Sequence, residues 1–213
     1  MLESYYTVKA EGSEEITIQK SRFIGYIKRC ETEEAAQQFI QEIKKKHNDA
    51  THNCSAYLIG EHDLIQKAND DGEPSGTAGV PMLEVLKKKG LKDTAVVVTR
   101  YFGGIKLGAG GLIRAYSSTV SAAIGAAGIV ERQLMKEMKV TADYKLLGKL
   151  ENSLRNSDYL LKDINYLDNV EFIVFVKSGL EDSFSKWVIN LTSDQATIQP
   201  GEVSYIEQNV SGK

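Results

Sequence analysis

Cysteine and histidine are scarce in this 213-residue chain, and long hydrophobic runs are missing. Cys30 and Cys54 have no CxxC spacing, which argues against a disulfide framework or a structural zinc site, so both are expected to be reduced core thiols. The longest nearly apolar run, residues 122–130, is far too short to span a bilayer, and the first residues do not resemble a secretory leader. We expect a cytoplasmic protein without membrane contact.

The common catalytic and nucleotide-binding motifs are also missing. His47, His52 and His62 do not form an HExxH pair, and no GxSxG serine motif occurs. Neither a Walker GK[ST] ending nor the third glycine of a dinucleotide fingerprint is present. The histidines are therefore expected to have packing or surface roles, and the sequence indicates no catalytic residue and no cofactor.

Glycine, by contrast, is concentrated in one place, since nine of the 18 glycines lie within residues 69–116. Glycine loses more conformational entropy on folding than any other residue, so such a cluster indicates unusual turns or the close approach of a ligand or partner. The same region is electrically divided: residues 61–75 carry a net charge of −4 and residues 85–114 a net charge of +6. The basic stretch favours an anionic partner, although the whole chain has a net charge of −3.

The first part of the chain has the pattern of a mixed α/β domain, which we place at residues 1–131. Thr32 is a suitable N-cap for an amphipathic helix, and the apolar run of residues 94–99 is typical of a strand buried on both faces. A glycine-rich loop and a helix over residues 111–127 follow this strand. Further strands are expected at residues 16–27, 54–59 and 63–68, and a short helix at residues 81–89.

From about residue 135 the order changes to strand, helix, strand, strand, helix, strand, which is a ferredoxin-like signature. The strands are expected at residues 136–142, 159–166, 170–177 and 196–205. We place this second domain at residues 135–207, although no proline- or serine-rich linker precedes it. The predicted fold class is therefore α+β.

A strand followed by glycines and a helix is an anion-binding arrangement, because unpaired N–H groups and the helix dipole favour negative charge. Basic side chains would contact phosphates and aromatic rings would stack on bases. The candidate nucleic-acid or anion-binding residues are Arg100, Tyr101, Phe102, Gly103, Gly104, Lys106, Gly108, Gly110, Gly111 and Arg114. The alternative is that the glycines only permit tight turns and helix packing, and that the aromatic residues belong to the core.

A short acidic segment precedes this stretch. Asp70, Asp71 and Glu73 supply carboxylates of the kind that hold magnesium against a substrate phosphate. A solvated turn is the competing interpretation. We therefore predict either a magnesium site or a polar loop at this position.

Four segments resemble a known family: Lys20-Ser-Arg-Phe-Ile, His52-Asn-Cys-Ser-Ala-Tyr, residues 70–81 (DDGEPSGTAGVP) and residues 98–116 (VTRYFGGIKLGAGGLIRAY). On these motifs the chain resembles the IMPACT family, in particular its bacterial YigZ- and YvyE-like members. The shared domain covers roughly residues 1–130. The resemblance implies a ribosomal protein S5 domain 2-like α/β domain, followed by a ferredoxin-like domain similar to those of elongation factor G.

Both of those folds belong to proteins that handle RNA on the ribosome. Eukaryotic members of the family resemble translational regulators that compete for the amino-acid-starvation kinase, but they do so through an additional N-terminal domain that this sequence does not contain. The leading hypothesis is a non-enzymatic RNA- or ribosome-binding protein that modulates translation. One alternative is an enzyme that binds a nucleotide or other phosphate ligand on the same loop with magnesium, loosely similar to GHMP kinases. A protein–protein interaction module is the second alternative, and the sequence predicts no oligomeric state.

Overall fold

The computed structural model describes residues 1–210 and is mixed α/β, with two antiparallel sheets and five α-helices in that part of the chain. The α+β class expected from the sequence is therefore confirmed. The chain divides into two compact units, which we call the N-terminal unit and the C-terminal unit. The N-terminal unit is Tyr5–Glu131 with the residues after Glu207, and the C-terminal unit is Arg132–Glu207 with Met1–Ser4.

The N-terminal unit is built on one sheet, whose strands run in the order β2-β3-β6-β4-β5 and are all antiparallel to their neighbours. Helix α1 lies on one face, and helices α2 and α3 lie on the other. The elements are β1 (Ser4–Val8), β2 (Gly12–Ile18), β3 (Ser21–Arg29), α1 (Glu33–Lys46), β4 (His52–Ile59), β5 (Ile65–Asn69), α2 (Gly79–Lys88), β6 (Thr94–Tyr101) and α3 (Gly108–Ala127).

The central strand of this sheet, β6, is buried on both faces, as its apolar run predicts. Val96 and Val98 pack against α2 and α3, whereas Ala95 and Val97 pack against α1, because successive side chains point to opposite faces. Helix α1 begins where expected, since the Thr32 hydroxyl accepts a hydrogen bond from the backbone N–H of Ala35 at 3.2 Å. The side chains of β6 thus contact a helical layer on each face of the sheet, which gives the unit three layers.

The elements of the C-terminal unit are β7 (Ile129–Ala142), α4 (Leu147–Arg155), β8 (Leu160–Tyr166), β9 (Val170–Lys177), α5 (Glu181–Thr192) and β10 (Ala196–Asn209). The first residues of β7 and the last residues of β10 are assigned to the N-terminal unit. Strand β9 lies between β7 and β8, and β10 pairs with β7. Leu150 of α4 and Phe184 of α5 pack on Phe172 of β9 in one apolar cluster. Both β7 and β10 are longer than expected. The residues added to β7 include the buried side chains of Val130, Leu134 and Met135, whereas the last three residues of β10 are polar and exposed. Of the described helices, none has the length and apolar character needed to cross a membrane.

Candidate functional site

Three adjacent strands place Phe23, Arg100 and His52 side by side. Phe23 of β3 and His52 of β4 are each directly opposite Arg100 of β6. Directly opposite residues of antiparallel strands share a face, and Phe23 packs against the α2 and α3 layer. Arg100 therefore points beneath the start of α3, and the next residue, Tyr101, points to the opposite face.

Arg100 forms a buried ion pair with Glu73. Its Nη1 donates to Glu73 Oε1 at 2.6 Å, and the two side chains are only 5% and 3% exposed. Its guanidinium also lies 5.2 Å from the ring centre of Phe23 and 5.4 Å from that of Phe102. Arg100 thus makes internal contacts through Nη1 and the faces of its guanidinium, and it does not lie on the surface where a phosphate contact was expected.

Glu73 continues this buried network toward α3. Its Oε1 also accepts a hydrogen bond from the Tyr116 hydroxyl at 2.8 Å, and Cys54 Sγ lies 3.3 Å from that hydroxyl. Burial raises the pKa of the Cys54 thiol to about 12 and also raises the pKa of Tyr116. Both groups therefore stay protonated at neutral pH, and the network holds the structure together without supplying a thiolate nucleophile.

The acidic segment is held by internal partners. Asp70 accepts from the backbone N–H groups of residues 76, 78 and 79, and Asp71 pairs with Lys44 at 2.6 Å. Burial opposes ionisation of Asp70 and Asp71, but these donors outweigh it and hold both pKa values below the usual range. The carboxylates of Asp70, Asp71 and Glu73 therefore bind different partners, namely backbone N–H groups, Lys44 and Arg100. Within residues 1–210 no group of three His, Cys, Asp or Glu side chains is placed to hold a metal ion, so the magnesium ligands expected at Asp70, Asp71 and Glu73 are not brought together.

The glycine loop, residues 103–111, needs glycine for steric reasons at several positions. A Cβ on Gly103 would lie 2.1 Å from the backbone of Lys20, while its N–H is 3.1 Å from the Ser21 hydroxyl. Gly104 and Gly108 have φ values of +86° and +68°, which other residues rarely adopt. The turn-and-packing alternative therefore accounts for these three glycines, whereas Gly110 and Gly111 lie in the first turn of α3 and leave its start uncovered.

The start of α3 forms a basic, partly apolar surface. Leu107 at the N-cap makes no side-chain capping bond, and the first turn has no acidic residue. Lys106 and Arg114 are exposed and make no ion pair within residues 1–210. Apolar side chains flank them, with exposures of 46%, 41% and 41% for Phe102, Ile105 and Ile113. We call these five side chains and the first turn of α3 the glycine-loop surface.

A cavity of about 400 Å³ lies beside this surface. Lys106, Gly108 and Ala109 line one side, and Arg100, Glu73 and His52 line another. His52 Nδ1 donates to the carbonyl oxygen of Asp71 at 2.8 Å, which leaves Nε2 3.8 Å from Glu73 Oε2. The ring is therefore held in one orientation at the cavity wall, a role beyond the packing or surface position expected for it.

Tyr101 lies on the opposite face of the sheet, in a hydrogen-bonded chain with His47. The Tyr26 hydroxyl is 2.7 Å from His47 Nε2, and His47 Nδ1 is 2.9 Å from the Tyr101 hydroxyl. Tyr101 donates in turn to Asp49 at 3.1 Å, so it accepts from His47 Nδ1. The members of this cluster come from three distant segments, so no local pattern in the sequence indicates it. Tyr101 lies on the face of the sheet opposite to the glycine-loop surface and is therefore separated from Phe102.

The fold and the site define a two-unit α+β protein whose N-terminal unit presents a basic glycine-rich surface over a buried arginine–glutamate pair. Residues 19–124 match the Impact N-terminal domain, and residues 140–195 match a domain of unknown function, DUF1949. The chain is also 61% identical over 211 residues to the IMPACT family member YvyE of Bacillus subtilis, covering 99% of this chain and 97% of that protein. The chain belongs to the IMPACT family.

Other relatives agree with this assignment and confirm the similarity to bacterial members. The IMPACT family member YigZ of Escherichia coli is 38% identical over 151 residues, which cover 67% of this chain and 74% of that protein. A solved structure titled "Crystal structure of an hypothetical protein" has a TM-score of 0.61 and 30% identity, and the match covers 95% of this chain and 99% of that one. The chain is thus similar along most of its length to a bacterial member of the family and to a solved structure.

Proposed function

We propose that this IMPACT family member binds RNA, free or in the ribosome, through the glycine-loop surface and thereby modulates translation in the cytoplasm. One observation carries the proposal: the first turn of α3 has no capping side chain and no acidic residue, and two exposed cations flank it. Unsatisfied N–H groups, the helix dipole and unpaired cations together attract phosphate. Neutralising phosphates in this way is the main source of sequence-independent affinity for nucleic acids.

The residues of the surface have distinct roles in this proposal. Lys106 and Arg114 contact phosphates, and the backbone of Gly108 and Gly110 supplies N–H donors. Phe102 provides a stacking platform for a base, because its ring is 46% exposed and is backed by the guanidinium of Arg100. In RNA binding through this surface Arg100 therefore acts by supporting Phe102.

We also propose the finer fold assignments that the family resemblance implies. The N-terminal unit is assigned a ribosomal protein S5 domain 2-like fold, and the C-terminal unit a ferredoxin-like fold. The second assignment is supported by the strand order, in which β9 lies between β7 and β8 while β10 pairs with β7. Both assignments are consistent with an RNA-handling protein.

A protein–protein interaction module is the second candidate, and the exposed apolar side chains favour it. Phe102, Ile105 and Ile113 flank the same loop and are each at least 41% exposed. Neighbouring apolar side chains of this kind mark contact surfaces in many proteins. Binding through them would depend little on salt, which separates this candidate from RNA binding.

The test measures co-sedimentation of the protein with ribosomes and RNA fragments over a range of salt concentrations. The Lys106→Ala/Arg114→Ala variant is expected to weaken binding and to reduce the slope of log affinity against log salt by about 2. The control is Lys88→Ala/Lys89→Ala, which removes the same charge from exposed side chains at the end of α2. No binding in any fraction would reject the proposal, and equal losses in both variants would reject its location.

A further inference from the structure

We infer that the cavity beside the glycine loop binds a phosphomonoester carried on a planar body, that is, a nucleotide, either free or at the end of an RNA chain. The inference deepens the proposed function, because the cavity adjoins the same surface. The inference concerns binding only and includes no chemical step, because the Cys54 thiol and the Tyr116 hydroxyl, which lie in the buried network of Glu73, stay protonated. Its test uses small ligands and is therefore separable from the ribosome experiment.

The cavity joins the start of a helix to an unpartnered buried donor. Gly108 and Ala109 of the 20-residue helix α3 line the cavity together with Lys106. Arg100 also lines it, is 5% exposed, and has an Nε that finds no hydrogen-bond partner among the described residues. A buried donor without an acceptor is costly and rare, so the arrangement points to an acceptor that the protein itself does not supply.

The cavity wall carries a net positive charge. Glu73 balances Arg100, which leaves Lys106 and the helix dipole to set the sign. His52 Nε2 is 3.8 Å from Glu73 Oε2, too far for a hydrogen bond, and because Nδ1 donates to Asp71 it can accept from a donor group of the ligand. A phosphomonoester carries up to two negative charges and suits this wall better than a phosphodiester within a chain, which carries one.

The remainder of the cavity lining is apolar. Phe102, Pro74, Leu107 and Leu112 give the cavity apolar walls, and its volume of about 400 Å³ is in the range of small-ligand sites. The Phe102 ring is held against Arg100, so it offers a planar platform in a fixed orientation. A nucleobase fits these walls, while the phosphate lies toward the start of α3.

The test is isothermal titration of the full chain with adenosine 5′-monophosphate, inorganic phosphate and adenosine. Oligoribonucleotides with a 5′-phosphate or a 5′-hydroxyl form the second arm. Binding of the monophosphate, with weaker binding of adenosine and of inorganic phosphate, is expected if the source is a free nucleotide. Binding that requires the 5′-phosphate on the oligonucleotide, without binding of the monophosphate, assigns the ligand to an RNA end.

Two matched variants locate the site. Ala109→Asp adds a carboxylate at the second position of α3 in the cavity wall, and Val80→Asp does the same at the second position of α2, away from the cavity. Each should slightly stabilise its helix, because a negative charge is favourable in the first turn. Ala109→Asp is nevertheless expected to weaken binding of the phosphorylated ligand by about tenfold or more, while Val80→Asp leaves it within about twofold.

The remaining outcomes overturn the inference in different ways. If no phosphorylated probe binds the wild-type protein, the ligand assignment is wrong, and salt-dependent ribosome binding through Lys106 and Arg114 would still stand. If both aspartate variants bind alike, the cavity is not the site. Equal affinity for inorganic phosphate and the monophosphate would show that the planar base contributes nothing to binding and would refute that part of the inference. If a nucleotide binds as expected but ribosomes do not, the inference stands and the proposed function fails.

Discussion

The Glu73→Gln substitution is expected to destabilise the N-terminal unit by about 3 kcal/mol. It removes the negative charge from a pair whose side chains are 3% and 5% exposed, and so leaves the guanidinium of Arg100 buried without a counter-ion. Breaking a buried ion pair by removing one partner typically costs about 3–5 kcal/mol. The lower end of that range applies because the amide oxygen of Gln can still accept a hydrogen bond from the Tyr116 hydroxyl.

Urea unfolding followed by far-ultraviolet circular dichroism measures this effect. With a slope of about 2 kcal/mol/M, the midpoint should fall by about 1 M or more. The control is Glu15→Gln, which breaks the pair that Glu15 forms with Arg22 at 2.9 Å between side chains that are 44% and 52% exposed. Its midpoint is expected to stay close to that of the wild type, because water and salt screen such pairs. Equal shifts for the two variants would refute the argument that burial makes the Glu73–Arg100 pair important.

The other predictions concern the glycine loop and pH. Gly103→Ala is expected to lower the free energy of unfolding by about 1–3 kcal/mol through its clash with Lys20, whereas Gly110→Ala should raise it by up to about 1 kcal/mol through helix propensity. Thermal melts giving the same sign for both would contradict this geometry. Burial and the neighbouring Lys46 lower the pKa of His47. Between about pH 7 and 5 the unfolded chain therefore binds more protons than the folded chain, and the free energy of unfolding should fall as the pH falls. His47→Gln should flatten that dependence in urea titrations at several pH values, and an unchanged slope would count against the tyrosine–histidine cluster.

Local patterns were sufficient to predict much of the fold. The apolar run of β6 could be placed as a buried strand because no exposed strand retains such a composition, and Thr32 marked the start of α1 because its hydroxyl caps the helix locally. The ends of β7 and β10 were missed for different reasons. The start of β7 has buried apolar side chains at Val130, Leu134 and Met135, but the polar residues 131–133 interrupt them, and the segment coincides with the expected domain boundary. The last residues of β10 are polar and exposed, so strand pairing and not burial holds them extended.

The candidate site shows a similar division. The exposed positions of Lys106 and Arg114 followed from the glycine-rich pattern, but the burial of Arg100 depends on Glu73, which lies 27 residues earlier in the chain. The opposite charges of residues 61–75 and 85–114 were the one signal of such a pairing. The separation of Tyr101 from Phe102 was hidden because the strand continues to Tyr101, where alternation places neighbouring side chains on opposite faces.

The buried pair of Arg100 and Glu73 also has a consequence for how this protein can change during evolution. The pair ties the acidic segment to the central strand, while Lys106 and Arg114, for which we propose ligand contacts, lie above it and make no ion pair within residues 1–210. Substitutions of Lys106 or Arg114 are therefore expected to alter the proposed recognition with little loss of folding stability, whereas substitutions of the buried pair are expected to destabilise the unit. Such a division allows one scaffold to acquire new ligand preferences through surface changes alone.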